Sequence, residues 1–497
     1  MKALLERLRA PGWLGHAVAA TLGAAGVLGF APYGIWPLLM LSGLGLLWSL
    51  SESRGRAAFA RGFFWAMGFY GVGINWVHVS INVFGQAPLV LAMAFALALA
   101  AYMAFYAGLS TYWLQRYFPH SQPGKYLLAF PALWLAQEAF RGWFLTGFPW
   151  LFWGYSQTTG PLASFAPLGG VYGLTLVLAL LVGAIYYVLS SHKPAALAIV
   201  AAAFIGAIVL KHVDWTTPKA APISVGLVQG NVPQEVKWSR ESLAPTVEIY
   251  SGLTRELWAS DLIVWPEAAL PAFKHQIPAV VDYLDGEARK HKTTLVLGLP
   301  TADLETRHYY NSVLVLGLGE GTYHKQHLVP FGEYVPFEAL LRGMIAFFDL
   351  PMSAFTAGEN GVVLKTAKAT LNPAICYEIA YPIQLAEVDA DMLLTVSNDA
   401  WFGDTIGPHQ HMEIAQMRAL ENGRYLLRAT NNGITAIVDA HGRITERLPQ
   451  FKTAVLSGTA QAYQGRTPFA ATAGIPVFVL MVLMFAFAWR RRVHGEA

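Results

Sequence analysis

The sequence has one cysteine in 497 residues, Cys376, and only 13% charged residues. A single thiol excludes an intramolecular disulfide, a CxxC redox pair and a thiolate-rich metal centre. It leaves a buried bystander or a nucleophile. The shortage of charge is uneven. Residues 1–211 hold three acids (Glu6, Glu52, Glu138) against eleven bases, whereas residues 212–473 hold 27 acids and 20 bases. Soluble chains carry about 25% charged residues. The low charge, 55% hydrophobic residues and a mean hydropathy of +0.41 predict an integral membrane protein. Because the second region is net acidic, nucleic acid is not an expected partner.

Apolar runs able to cross a hydrocarbon core of about 30 Å fall near residues 13–30, 33–50, 59–79, 87–115, 126–145, 163–189, 194–210 and 474–489, so about eight spans are expected. The first two runs are short and joined by Ala31-Pro32-Tyr33, which leaves a re-entrant pair as the alternative. A signal peptide behind Lys2, Arg7 and Arg9 ranks below a retained helix. Bases recur in alternate loops: the N-terminus, Arg54/Arg56/Arg61, Arg116/Lys125, Lys193 and Arg490/Arg491/Arg492. By the positive-inside rule both termini are cytoplasmic and the acidic region lies outside. This is the periplasm if the membrane is a bacterial inner membrane. The expected domains are a membrane domain over 1–211, a catalytic domain over 212–472, and a last span with a basic tail over 473–497. Glu138 and Arg141 are expected to pair at the outer interface. Trp143, Phe144, Phe148, Trp150, Phe152, Trp153 and Tyr155 read as an aromatic belt or the wall of a lipid entrance.

Between the membrane runs, strand-like stretches recur at Ile223–Val228, Leu262–Trp265, Leu295–Leu299, Val313–Leu316, Leu371–Ile375, Leu393–Val396 and Ile434–Val438. Helical patterns lie over 243–257, 277–291 and 409–427. Alternating strands and helices predict an α/β layered domain. Three polar groups stand at or just beyond strand ends: Glu267 after Leu262-Ile263-Val264-Trp265-Pro266, Lys325 within His-Lys-Gln-His-Leu-Val-Pro-Phe-Gly-Glu, and Cys376 in Cys-Tyr-Glu.

That ordered trio resembles the nitrilase or carbon–nitrogen hydrolase superfamily. With apolar spans on both sides and Val228-Gln229-Gly230-Asn231 opening the domain, the chain resembles its membrane-bound family of apolipoprotein N-acyltransferases. The resemblance implies an αββα sandwich on an eight-helix membrane base. It also implies transfer of an acyl chain from a glycerophospholipid, phosphatidylethanolamine foremost, to the N-terminal diacylglyceryl-cysteine of an apolipoprotein. The implied catalytic residues are Glu267, Lys325 and Cys376. Trp238, Glu333, Tyr377 and Glu378 are implied as supporting or substrate-binding groups, and no metal or cofactor is needed.

The chemistry is consistent with those types. A thiol near pKa 8.5 needs a base, for which Glu267 is suited, or a cation that favours the thiolate, for which Lys325 is suited. Lys325 and the Tyr377 N–H would stabilise the oxyanion. For Glu333 and Glu378 an orienting ion pair with Lys325 or an arginine is favoured over a reacting role. Trp238 is either core or a substrate contact. His324, His327, His409 and His411 lack a dependable third ligand and are expected to hydrogen-bond rather than hold metal. Asn398, Asp399, Trp401 and Phe402 read as pocket-lining turn residues. The apolar stretch Met344 to Phe355, flanked by Gly343 and Gly358, is either core or a lid at the bilayer. A membrane-tethered amidase and a transporter with a binding-only outer domain are the competing readings.

Overall fold

The computed structural model describes residues 8–10, 12–120, 122–334 and 355–493. The chain forms two compact units, one of Met1–His78, Pro88–Val213 and Thr472–Ala497, the other of Val79–Ala87 and Asp214–Ala471.

In the first unit, runs rich in Ala, Leu, Gly and Phe form helices because only intrahelical hydrogen bonds can satisfy their backbone away from water. They are α1 (Trp13–Gly26), α2 (Trp36–Ser49), α3 (Arg56–Gly73), α4 (Leu89–Tyr117), α5 (Phe130–Arg141), α6 (Ala166–Ser191), α7 (Leu197–Leu210) and α11 (Ile475–Val493). Helices α1 and α3 meet backbone to backbone. A Cβ on Gly23 would lie 1.8 Å from the Trp65 carbonyl, and one on Gly68 would lie 1.9 Å from that of Ala20. Small residues thus set their approach.

By length and apolarity, two helices among the described residues suffice to cross a membrane, Leu89–Tyr117 and Ala163–Ser191. Trp13–Gly29, Trp36–Ser49 and Pro194–Leu210 are shorter apolar helices. A 14-residue helix such as α2 reaches only about 21 Å.

The Glu138–Arg141 expectation is corrected. Both side chains are fully buried. Glu138 accepts the Trp153 N–H at 3.0 Å and the Thr175 hydroxyl at 2.7 Å. Arg141 donates to the carbonyls of Phe148 and Trp150 and lies over the rings of Tyr70 and Phe152. The two anchor an irregular aromatic segment inside the bundle, where backbone polar groups need partners. The expected belt divides accordingly: Trp150, Phe152, Trp153 and Tyr155 are core, while Trp143 and Phe144 are exposed.

The second unit holds two six-stranded sheets. One has the order β12-β1-β2-β3-β4-β5, with β1 Ile223–Gln229, β2 Leu262–Val264, β3 Thr294–Asp303, β4 His308–Gly317, β5 Thr322–His324 and β12 Ala454–Ala460. The other is β11-β10-β9-β8-β7-β6, with β6 Leu364–Lys365, β7 Thr370–Ile375, β8 Met392–Ser397, β9 Leu426–Thr430, β10 Ala436–Val438 and β11 Ile444–Arg447. Val225, Leu227, Val264 and Val296 of one sheet share a core with Leu371, Ile375, Leu394 and Leu427 of the other. On the opposite face of the first sheet, Ile263, Trp265, Leu295 and Leu297 pack with Tyr250 of α8 (Leu243–Thr254) and Leu284 of α9 (Pro278–Lys290). Strands buried on both faces read as continuous apolar runs, which is why the sequence displays them.

The helical pattern over 409–427 overruns. Helix α10 (Gly407–Asn422) stops at Gly423, which is left-handed at φ 59°, and Leu426 opens β9 beside β8. A left-handed glycine ends a helix, and the free edge of β8 takes up the apolar residues that follow. The segment Val79–Ala87, set between α3 and α4 in sequence, belongs to this unit. Ser80 donates to the Trp401 carbonyl at 2.6 Å and Phe84 packs edge-on to the Trp401 ring. Met344 to Met352 lie outside the described residues.

Candidate active site

Strands β1, β2 and β3 run parallel, as do β7, β8 and β9. Polar groups just beyond the C-terminal ends of β2, β7 and β8 therefore gather in one place, as open sheets permit. Glu267 follows β2. Gly298 lets it fit, since a Cβ there would lie 2.8 Å from the Glu267 Cα. Its Oε1 accepts the Asn311 amide at 2.8 Å, and its Oε2 accepts the Asn398 backbone N–H at 2.9 Å. Lys325 extends the β4–β5 pairing, its N–H donating to the Asn311 carbonyl at 2.8 Å. Its Nζ lies 3.7 Å from Glu267 Oε1 and 2.9 Å from Glu333. Glu333 also accepts Asn311 and the Val329 N–H. Lys325 is 1% exposed, so its charge acts in low dielectric.

Cys376 begins the 3₁₀ turn after β7 with φ 55°. A left-handed non-glycine residue costs about 1–2 kcal/mol and turns the chain sharply at the strand end. The thiol is in electrostatic contact with Glu267 and Lys325. Burial, with Glu267 added, pushes the Cys376 thiol up, and the opposing charge of Lys325 does not reverse this. Lys325 favours the thiolate, but burial outweighs it and the resting thiol is protonated. Burial alone would lower the Lys325 ammonium, but Glu333 and Glu267 raise it, so it stays charged.

These residues bring together a carboxylate, an ammonium and a thiol, the set needed for acyl transfer through a thioester. Residues 224–468 match the Carbon-nitrogen hydrolase family profile, and residues 22–185 match the Apolipoprotein N-acyltransferase N-terminal domain. The apolipoprotein N-acyltransferase of Azotobacter vinelandii is 47% identical over 97% of this chain and 96% of its own length. That of Vibrio parahaemolyticus is 42% identical over 98% of both chains. The chain belongs to the apolipoprotein N-acyltransferase family. Its activity is N-acylation in lipoprotein maturation, and its substrates are a lipoprotein and a lipid. Among solved structures, the yeast nitrilase-superfamily protein Nit3 is 19% identical, with a TM-score of 0.37 over 50% of this chain and 92% of its own.

Within this N-acyltransferase, Glu378 does not form the expected ion pair. It is fully buried and accepts the N–H groups of Ile375 (2.7 Å), Gln326 (2.7 Å) and His327 (3.0 Å), with Tyr323 and Gln384. It ties the segment after Lys325 to the strand before Cys376. Tyr377 is partly buried and its ring meets Tyr381. Trp238 is partly buried, and its indole N–H has no acceptor among the described residues. The histidines hydrogen-bond or stack: His324 with Ser312 and Tyr310, His327 with Tyr381, and His409 with Gln450.

Several groups escaped sequence reasoning. Asn311 bridges both carboxylates, but only the Ser312–His324 register reveals which way it faces. Lys237 is buried, donates to the Glu267 carbonyl at 3.4 Å, and is pulled down to about 8 by burial. Asp399, read as pocket lining, is instead buried against Arg428 (2.7 Å) and His411 (3.0 Å). His411 Nε2 lies 3.1 Å from the Cys376 carbonyl. A carbonyl only accepts, so Nε2 carries the hydrogen, while Nδ1 lies 3.0 Å from both the Arg428 guanidinium and the Asp399 carboxylate. Burial, reinforced by Arg428, holds this imidazole below its ordinary value and neutral.

Proposed function

We propose that the acyl donor is a glycerophospholipid, phosphatidylethanolamine foremost, and that transfer is ping-pong through a Cys376 thioester. The observation that carries this reading is Glu267, held by Asn311 and the Asn398 N–H, facing the neutral Cys376 thiol beside the charged Lys325. Glu267 takes the thiol proton as sulfur attacks the ester carbonyl. Lys325 and the Tyr377 N–H stabilise the oxyanion. Collapse expels the glycerol oxygen, which takes the proton from Glu267 and leaves as lysophospholipid. The α-amine of the diacylglyceryl-cysteine then attacks the thioester, gives its proton to Glu267, and departs as amide. The thiolate recovers that proton. Glu333 holds Lys325, Glu378 holds the two segments in register, and Trp238 offers its indole N–H to substrate.

The peptide linking Cys376 and Tyr377 is planar, so its carbonyl and N–H point in opposite directions. By holding the carbonyl, His411 aims the N–H at the oxyanion and is a positioning residue. His411→Asn, too short to reach the carbonyl, should slow acylation about 10²-fold while iodoacetamide alkylates Cys376 within twofold of the parent rate. His411→Gln, whose amide can reach, should recover most of the loss. Equal loss in acylation and alkylation would make His411 merely structural.

The same reading embeds the first unit in a bacterial inner membrane, with eight crossings, cytoplasmic termini and a periplasmic catalytic domain. Its support is that each apolar run is helical, that the π-turn Gly124–Ala129 lengthens α5, and that bases recur in alternate loops.

The test is intact mass of the detergent-solubilised chain after incubation with phosphatidylethanolamine and no acceptor, beside Cys376→Ser. A one-acyl gain that hydroxylamine removes and the control lacks is expected. A folded chain that gains no acyl mass overturns the phospholipid donor, and acylation by a small amide instead would favour the amidase.

A further inference from the structure

We propose that the helical unit carries a second lipid site, in which Arg9, Arg54 and Lys125 bind the phosphate of an anionic phospholipid. The inference rests on the membrane-embedded reading of that unit. A cavity of about 570 Å³ is lined by these three bases together with Trp48, Tyr126 and Tyr186. Lys125 is 3% exposed and Arg54 is exposed at the margin. Lys125 Nζ and Arg54 Nη1 both donate to one neutral oxygen, Gln115 Oε1, at 2.9 and 2.6 Å. Arg54 also donates to the Pro119 carbonyl at 2.7 Å. The carboxylate that pairs with a base of this cluster is Glu52, 3.4 Å from Arg9 and not part of the cavity lining.

Among the described residues, three cations thus line one cavity, and the one carboxylate paired with them, Glu52, lies outside its lining. The positive-inside rule accounts for exposed bases in this loop set. It does not account for a buried ammonium whose partner is a shared amide oxygen, because burying a charge without a counter-ion is costly. A phosphate supplies that counter-ion, with geometry suited to the guanidinium forks. Leu44, Leu189 and the aromatic rings give the cavity an apolar wall for the glyceryl and upper acyl portions, as in basic headgroup pockets between membrane helices.

The cavity sits among helix ends. Arg9 precedes α1, Arg54 joins α2 to α3, Lys125 precedes α5, and Tyr186 and Leu189 lie in the last turns of α6. The chain leaves this unit for the other at residues 78, 88, 213 and 472. None of the cavity residues belongs to the unit that holds Cys376.

The experiment uses the full chain in neutral detergent, with phosphatidylglycerol, phosphatidylcholine and inorganic phosphate as separate probes, read by thermal shift and native mass spectrometry. Phosphatidylglycerol should raise the melting temperature and remain bound, and phosphatidylcholine should not. Arg54→Gln and Lys125→Gln should each weaken phosphatidylglycerol retention about tenfold or more. Lys125→Gln should also melt higher than the parent without lipid, since it removes an uncompensated charge. Acylation of Cys376 by a small activated ester should be unchanged in both variants.

Equal protection by phosphatidylcholine, or parental retention in Arg54→Gln, overturns the proposal. Equal protection by free phosphate overturns its lipid part. If Lys125→Gln does not fold, Arg54→Gln, at an exposed position, decides alone. A chain that retains phosphatidylglycerol but is never acylated by phosphatidylethanolamine loses the donor assignment and keeps this site.

Discussion

Glu267→Gln should slow acylation of Cys376 by about 10³- to 10⁴-fold, the upper range for loss of a general base. The same change should shift thiol alkylation to lower pH. The Cys376 thiol is raised by burial, by Glu267 and by Asp399, and opposed by Lys325. Deleting the charge of Glu267 removes one cause of the rise and leaves Lys325, so the thiol pKa falls and more thiolate is present at a given pH. A bystander carboxylate would leave the more ionised thiol at least as reactive toward an ester. A base that also returns the proton to the leaving oxygen makes the variant fast with iodoacetamide and slow with lipid. The check is the pH dependence of alkylation beside acylation followed by intact mass. Acylation near the parental rate, or an alkylation midpoint that moves up, would remove Glu267 from the proposed role.

The largest loss of stability is expected for Glu378→Ala. The carboxylate is fully buried and satisfies three backbone N–H groups, from Ile375, Gln326 and His327. Each unsatisfied buried donor costs about 1–3 kcal/mol, so the sum is about 3–9 kcal/mol before relaxation. That is comparable with the whole stability of a domain, about 5–15 kcal/mol. The variant should fail to accumulate or melt far below the parent, with Cys376 alkylated as in an unfolded chain. Glu378→Gln keeps one accepting oxygen but turns an amide toward the other donors, and should fall between. The prediction fails if Glu378→Ala melts within about 2 °C of the parent.

Sequence reasoning reached the local features because they are written in periodicity and punctuation. Leu371 to Ile375 reads as a buried strand, and Cys376 is where the apolar run ends. Glu267 is marked by Pro266 in the same way. It overran at Leu427 because Gly423 was not weighed as a helix stop, which hid β9, and it missed the short hairpin strands β5, β6 and β11 and the strand β12, whose partner β1 is distant in sequence. Glu378 was expected to meet a cation. Instead it meets backbone N–H groups, which carry no signature in side-chain identity.

By itself the sequence determined the split into an apolar helical region and an acidic α/β region, the lone thiol, and the three strand-end groups Glu267, Lys325 and Cys376. Composition, period and order along the chain are enough for those. Only the tertiary structure decided that Asn311 and the Asn398 N–H grip Glu267, that His411 holds the Cys376 carbonyl, that Glu138 and Arg141 anchor a buried aromatic turn, and that Arg9, Arg54 and Lys125 share a cavity. Each of these depends on strand register or helix ends that bring residues far apart in sequence within hydrogen-bond or Coulomb range. Burial then fixes what their charges can do, because the dielectric around a group is a property of the fold rather than of the residue.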